Sequence, residues 1–277
     1  MLPHPVIKFI HKRLGLKNLA DFIESRQTML GLVNLDIRTV LDIGANKGRR
    51  ARNFRKLFPD ATIYCIEPIP VMCRVLERWA RTQCGKVKVI ELALSSAPSE
   101  ASFFISKRKT IWSTLREPPP DKAAEFDEIK VRVGTLNQLA EELDLKGDVL
   151  IKIDAEGLDL EIIRGGKHML QRASAVIAET AFYRGAFGDD GPTFEDFMAE
   201  LGALGYIYRG NVRSAYTRGT PMVADMLYVR REAAERMTAV VRPKAGASVN
   251  KRIENSSNEM EDIDGMKDAR RTLGSNI

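Results

Sequence analysis

The segment Thr39-Val-Leu-Asp-Ile-Gly-Ala-Asn-Lys-Gly48, followed by Tyr64-Cys-Ile-Glu-Pro68, decides the fold of this 277-residue chain. An apolar run enters a turn of small residues, a basic helical segment follows, and a second apolar run ends at an acid. This order predicts a β-strand, a helix and a parallel strand, whose carboxyl ends form a ligand site. Glu67, at the tip of the second strand, is therefore predicted to bind ribose hydroxyls, and Asp42 is predicted to lie close to the ligand.

The glycine spacing limits which nucleotide fits. Gly44 and Gly48 are four residues apart and do not form the G-x-G-x-x-G pattern that brings backbone close to a pyrophosphate. Lys47-Gly48-Arg49 also lacks the Lys-Ser/Thr ending of a phosphate-binding P-loop. A ligand with a ribose and a small zwitterionic end but no phosphate fits better, and S-adenosylmethionine is such a ligand. We expect backbone N–H groups of the turn to bind its carboxylate.

Apolar runs alternate with helical patterns along the rest of the chain, which predicts an α/β fold with helices on both faces of a mostly parallel sheet. Leu158–Leu170 is predicted as one helix. Tyr206–Tyr208 and Met222–Val229 are predicted to close one edge of the sheet as an antiparallel pair. The other predicted strands are 40–43, 62–66, 87–92, 101–106, 128–133, 148–154 and 175–179, and the other predicted helices are 48–58, 71–82, 136–143 and 193–204.

A second group of acids follows the predicted strand Asp148–Asp154. Asp154 and Glu156 are two residues apart, so on an extended strand both side chains would lie on one face. Either carboxylate could accept the proton of a substrate hydroxyl, and we predict both as catalytic residues. Glu179, at the end of the next strand, is predicted to line the substrate site together with Trp112 and Ser113 from a preceding loop. The chain has three histidines, and no metal is predicted at the site.

Composition sets broad limits on the protein. An apolar fraction of 44% and a charged fraction of 29% are typical of a globular protein, and the net charge of +6 is mildly basic. Three cysteines without metal-type spacing favour a reducing compartment, and a cytoplasmic location is predicted. Residues 1–36 are predicted to form a helical segment, whose basic amphipathic part at 1–16 is expected to pack on the main domain or, as the alternative, to touch an anionic membrane. Residues 37–232 are predicted as the main domain and 243–277 as a disordered tail.

The motifs together resemble the FkbM-type methyltransferases. The resemblance lies in Asp42-Ile-Gly-Ala-Asn-Lys-Gly48, Glu67-Pro-Ile-Pro70, Ile151-Lys-Ile-Asp-Ala-Glu-Gly157 and Asp159-Leu-Glu-Ile-Ile-Arg-Gly165. It implies a Rossmann-like, doubly wound seven-stranded sheet of the class I methyltransferases, with S-adenosylmethionine as cofactor. Ala155 and Asp159 depart mildly from the family pattern, in which a β-branched residue and Glu are usual. The resemblance implies that Gly44 and Asn46 lie at the methionine end of the cofactor and Glu67 at its ribose. The full predicted cofactor-binding set is Asp42, Gly44, Ala45, Asn46, Gly48, Glu67 and Pro68.

The predicted function is O-methylation of a hydroxyl on a small molecule, either a sugar or glycan or a secondary metabolite. A nucleic-acid methyltransferase and a nicotinamide-dependent oxidoreductase are the alternatives. The first is permitted by the net charge, but acids at the predicted reacting centre suit a hydroxyl better than an extruded base. The second lacks its glycine fingerprint.

Overall fold

The computed structural model of the chain describes residues 30–185, 187 and 191–239. The predicted amphipathic helix near the N-terminus and the predicted tail from residue 243 lie outside these residues. The proposed domain boundaries at residues 36/37 and 232 stay predictions. No helix within the described residues is long and apolar enough to cross a membrane.

Seven strands form the main sheet, in the order β3-β2-β1-β7-β8-β10-β9. All neighbouring pairs from β3 to β8 are parallel, whereas β10 is antiparallel to both β8 and β9. The predicted antiparallel pair at one edge is thus confirmed, as is the Rossmann-like fold class. The strands are β1 Ile37–Ile43, β2 Thr62–Glu67, β3 Val87–Glu91, β7 Asp148–Ile153, β8 Ala175–Ala181, β9 Tyr206–Thr217 and β10 Thr220–Arg230.

Helices cover both faces of the main sheet because its central strands carry apolar side chains on both sides. In β1, Leu41 and Ile43 contact one core cluster and Val40 contacts the other. The first cluster includes residues of α3 Leu136–Glu141, α4 Asp159–Arg164, α5 Lys167–Arg172 and α6 Phe194–Ala203. The second includes residues of α1 Arg49–Leu57, α2 Pro70–Ala80 and α7 Arg231–Ala239.

A separate three-stranded sheet is inserted between β3 and α3. It consists of β4 Ala93–Leu94, β5 Ser99–Ser106 and β6 Phe126–Gly134, in the order β4-β6-β5. Two of these strands correspond to the predicted strands at 101–106 and 128–133. Phe103 of β5 is buried against Ile69 and Met72 at the start of α2, which fixes the small sheet beside the carboxyl end of β2.

One predicted helix is divided in two. The segment predicted as a single helix over Leu158–Leu170 forms α4 and α5, with a break at Gly165 and Gly166. A Cβ atom on Gly165 would lie 2.3 Å from the Ser95 carbonyl oxygen, and one on Gly166 would lie 2.5 Å from Cδ2 of Leu136. At the break, the backbone of Ser95 lies too close to Gly165, and Leu136 of α3 too close to Gly166, for a larger residue at either position.

Candidate active site

A cavity of about 340 Å³ opens at the carboxyl ends of the central strands. Residues of the turn after β1 and of the end of β2 line one part, and the ends of β7 and β8 line another. The small sheet and the loop that follows β5 supply the remaining wall. This is the place where open α/β sheets bind ligands.

Glu67 joins the turns that follow β1 and β2. Its Oε2 accepts a hydrogen bond from the Asn46 N–H at 2.7 Å, and its Oε1 accepts one from the Ile69 N–H at 2.9 Å. Burial raises the pKa of Glu67 to about 7, although the two N–H groups act in the opposite direction. Each carboxylate oxygen can accept more than one hydrogen bond, so both can still bind ribose hydroxyls. Glu67 and Pro68 both line the cavity, as their predicted role requires.

The turn from Gly44 to Gly48 passes very close to the end of β7. Gly44 has a φ of 74°, and a Cβ atom there would lie 1.9 Å from the Asp154 carbonyl oxygen. Gly44, Ala45 and Asn46 line the cavity. Gly48 is absent from its wall, since a Cβ on Gly48 would lie 2.7 Å from Cδ2 of Leu76. Gly48 therefore serves the packing of α1 against α2.

The N–H groups of this turn are already used within the protein. Gly44 and Ala45 both donate to the Ile66 carbonyl, at 3.0 Å and 3.1 Å. Lys47 donates to Oδ1 of Asn46 at 2.9 Å, and Gly48 donates to the Ala45 carbonyl at 2.8 Å. With the Asn46 N–H directed at Glu67, all five are occupied. The expectation that they bind the ligand carboxylate is therefore wrong for this arrangement.

Asp42 lies beneath the cavity and does not line it. Its side chain is fully buried, and neither carboxylate oxygen has a hydrogen-bond partner within the described part of the chain. Asp42 is paired in register with Lys152 on β7. Burial raises the pKa of Asp42 to about 6, while Lys152 opposes the increase. Asp42 thus influences the site through its charge rather than by contact.

The three predicted acids come together in the wall of the cavity. One carboxylate oxygen each of Asp154, Glu156 and Glu179 lies within 4.8 Å of the others. Oxygen ligands of this kind suit a hard divalent cation. The expectation that the site needs no metal stays a prediction.

The expectation that an extended strand places Asp154 and Glu156 on one face is wrong, however. Strand β7 ends at Ile153, before either acid. Glu156 follows in a left-handed turn with a φ of 48°. The turn, and not an extended strand, brings its carboxyl group to Asp154.

Electrostatics differ among the three acids. Nζ of Lys152 lies 2.7 Å from Oδ2 of Asp154. Burial alone would lower the pKa of Lys152, but the Asp154 and Asp42 carboxylates outweigh burial, and the pKa is raised. Burial and the charge of Asp154 raise the pKa of Glu156 to about 8, and the same two causes raise the pKa of Glu179.

Asp159 fixes the positions of these acids from below. Its Oδ2 accepts a hydrogen bond from the Ala155 N–H at 3.1 Å, and its Oδ1 accepts one from the Glu179 N–H at 3.2 Å. The side chain is buried, and burial raises the pKa of Asp159 to about 7. Asp159 therefore links the loop after β7 to the end of β8, and Ala155 lines the cavity between them.

The loop after β5 contributes to the wall in a way that differs from the prediction. Ser113 lines the cavity, and its Oγ accepts a hydrogen bond from the Ser106 N–H at 3.1 Å. Trp112 does not line the cavity: its side chain is exposed, and Nζ of Lys109 lies 4.6 Å from the ring centre. Its neighbour Ile111 takes the lining position. Both residues belong to the 3-10 helix Thr110–Trp112, and both side chains are exposed.

Several lining residues have no local signal in the sequence. Leu92, Leu94, Phe103 and Leu115 provide apolar wall, and only the arrangement of the small sheet brings them there. Besides Lys152, four cations line the cavity: Lys47, Arg49, Arg50 and Arg213. The basic character of α1 was apparent in the sequence, but not which of its arginines face inward.

Comparison with known proteins agrees with this architecture. The family model described as the methyltransferase FkbM domain matches residues 42–208, which is more than half of the chain. The chain belongs to the FkbM methyltransferase family. The 2-O-methyltransferase NoeI of Sinorhizobium fredii is 26% identical over 179 residues, which cover 60% of this chain and 72% of NoeI.

Two solved structures illustrate how far the likeness extends. The methyltransferase FkbM of Methylobacillus flagellatus KT is 15% identical with a TM-score of 0.47, and the match covers 70% of this chain but 44% of that one. An O-methyltransferase family protein of Burkholderia thailandensis is 12% identical with a TM-score of 0.41, covering 78% and 57% of the two chains. Membership of the FkbM family supports methyltransferase activity and goes against the nicotinamide alternative.

Proposed function

We propose that the protein is an S-adenosylmethionine-dependent O-methyltransferase that acts on a hydroxyl of a sugar, glycan or secondary metabolite. The observation that carries the proposal is one cavity with a buried acid, Glu67, in one part and three acids in another. The first part suits an adenosyl donor without phosphate. The second part suits an acceptor that must lose a proton.

The residues at the turn fit this donor. The buried Glu67 carboxylate provides acceptors for a ribose, and the sequence of the turn has neither a P-loop nor a dinucleotide fingerprint. Gly44, Ala45, Asn46, Glu67 and Pro68 would hold the donor. When bound, S-adenosylmethionine supplies a methyl group on a positively charged sulfonium, which is already reactive toward an oxygen nucleophile.

The acids at the other end would orient the acceptor and remove its proton. Alignment of the reacting groups is the main task of the protein in a displacement of this kind. A base with a pKa near the working pH is the most effective at accepting a hydroxyl proton. With a pKa raised to about 8, Glu156 meets this condition, whereas Asp154 is fixed by Lys152 and suits the binding of a hydroxyl. Asp154 and Glu156 remain the proposed catalytic residues, with Glu179 lining the acceptor site.

Oxygen as the methyl acceptor also agrees with the relative NoeI, whose name states 2-O-methylation. A nucleic-acid acceptor is the second candidate, since the net charge of +6 permits it. The acids at the reacting end argue against it, because they would repel a phosphate backbone.

The test has two stages. Calorimetry should show that S-adenosylhomocysteine binds and NAD does not, and tight NAD binding would overturn the proposal. A screen with methyl-labelled donor against sugars, glycans, phenolic metabolites and oligonucleotides should then place label on a hydroxyl oxygen. Label on a base nitrogen would support the second candidate instead.

A further inference from the structure

Arg50 is a partly buried cation that faces the cavity. Its side chain is 21% exposed, and it forms an ion pair with Asp225 of β10, whose side chain is 6% exposed. Resting on the function proposed above, we propose that Arg50 binds the carboxylate of the donor's amino-acid end, and that Asp225 positions it.

The first step is that the turn offers no free donors. In many nucleotide sites, backbone N–H groups at the end of the first strand bind the anionic part of the ligand. Here the N–H groups of residues 44–48 are all bonded to protein oxygens. A side-chain cation must therefore take the carboxylate.

The second step selects Arg50 among the cations of the cavity. Lys152 is committed to Asp154 at 2.7 Å. Lys47, Arg49 and Arg213 are exposed, and none forms an ion pair within the described residues. Fixing such a mobile side chain costs entropy that weakens binding. Arg50 is already held in place by Asp225 and avoids much of this cost.

The third step is that Arg50 retains binding capacity. A guanidinium group has five N–H donors, and Arg50 forms a single hydrogen bond within the described part of the chain, from Nη2 to Oδ2 of Asp225. The remaining N–H groups can donate hydrogen bonds to a second carboxylate. Arginine suits this task because its planar group binds carboxylates through paired hydrogen bonds.

The last step concerns the polarity of the site. The carboxyl groups of Asp154, Glu156 and Glu179 crowd together in one part of the cavity, where a further carboxylate would be unfavourable and the donor's ammonium or sulfonium group favourable. Arg50 offers the carboxylate a cation in the same cavity, on the side of Asp225, which is paired in register with Glu179. The donor's amino-acid end would therefore be held in one orientation by charges of opposite sign.

The experiment compares ligands with and without the carboxylate. S-Adenosylhomocysteine carries it, whereas 5′-methylthioadenosine lacks the whole amino-acid end. In Arg50→Gln, calorimetry should show S-adenosylhomocysteine binding weakened about tenfold or more, with 5′-methylthioadenosine affinity within about twofold of the unmodified protein. Unchanged 5′-methylthioadenosine binding also shows that the variant is folded. Arg50→Lys should lose less, and Asp225→Asn should weaken S-adenosylhomocysteine binding selectively.

Arg49→Gln is the matched control, because it removes the same charge one residue away. Equal losses for both ligands in Arg50→Gln, or a selective loss in Arg49→Gln instead, would overturn the assignment of Arg50. Full S-adenosylhomocysteine affinity in Arg50→Gln would do so too and would point to other donors. If the unmodified protein bound neither ligand, the proposed function itself would fail.

Discussion

Nζ of Lys152 lies 2.7 Å from Oδ2 of Asp154, although the lysine side chain is only 2% exposed. Lys152 lies within β7 and Asp154 directly follows the end of this strand, while Asp42 lies beside Lys152 in the neighbouring strand. The buried ammonium group of Lys152 thus compensates two carboxylates: Asp154, which lines the cavity, and Asp42, which lies beneath it. Removing a buried charge from such a group leaves its partners without compensation.

Lys152→Met should therefore destabilise the protein by about 3–5 kcal/mol. The measurement is urea unfolding at pH 8, where the uncompensated carboxylates are most costly. Lys146→Met is the control, because Lys146 forms an exposed pair with Asp144 at 2.8 Å. Exposed pairs contribute about 0–1 kcal/mol, so an equal loss in the two variants would contradict this account of Lys152.

Glu67→Gln should weaken S-adenosylhomocysteine binding by about ten- to a hundredfold, because charged hydrogen bonds contribute about 1.5–3 kcal/mol. The NH2 group of the new glutamine would also face the N–H of Asn46 or Ile69, each of which now donates to a Glu67 oxygen, so one of these hydrogen bonds would be lost. Calorimetry measures the effect. Glu91→Gln is the control, since Glu91 is exposed and paired in register with Glu67 on β3. Similar affinities for the two variants would remove Glu67 from the ribose site.

Gly44→Ala should destabilise the protein more than Gly85→Ala. The two glycines have nearly the same φ, 74° and 75°, so the conformational strain of about 1–2 kcal/mol is common to both. A Cβ on Gly44 would meet the Asp154 carbonyl oxygen at 1.9 Å, whereas a Cβ on Gly85 has nothing within 4 Å. Thermal unfolding of both variants isolates the steric part. Equal melting temperatures would show that the turn can move away from β7 at little cost.

Glu156 gives the activity an expected pH dependence. A base must be ionised to accept a proton, and the pKa of Glu156 is raised to about 8. The rate of methyl transfer should therefore rise with pH and level off above about pH 8, measured in single turnovers with saturating donor. Glu156→Gln should lower the rate by about 10²–10⁴-fold and remove this rise. A variant that kept the same rise would assign the proton transfer to another group, with Glu179 the nearest candidate.

Much of the fold follows from patterns that are local in the sequence. The alternation of apolar runs and helical segments predicts the central strands, and α3 begins at a local signal, since Thr135 caps it by accepting a hydrogen bond from the Gln138 N–H. The break at Gly165 and Gly166 was missed because its cause is a close approach to Ser95 and Leu136, which are distant in sequence.

The residues of the site likewise divide into those that a local sequence pattern predicts and those that it does not. Glu67 and Asp154 stand at strand ends, where position alone suggests a role. Lys152 was treated as an ordinary strand residue, although a lysine between two isoleucines in the most apolar strand is itself a signal of a buried charge. Phe103 and Ile111 reach the cavity only through the packing of the small sheet, which no local pattern encodes.

The small sheet shares no strand with the main sheet. Within the described residues its three strands pair with one another, while Glu67, Gly44 and Asp154 lie at or just after the ends of β2, β1 and β7, which are in register. The wall between β3 and α3 can therefore differ in length without a change in this register, provided that the packing of Phe103 against Ile69 and Met72 is retained. The strands that carry the proposed donor site are thus separate from the small sheet that forms part of the cavity wall. We expect a chimera that carries a relative's insertion at residues 93–134 to retain the donor site.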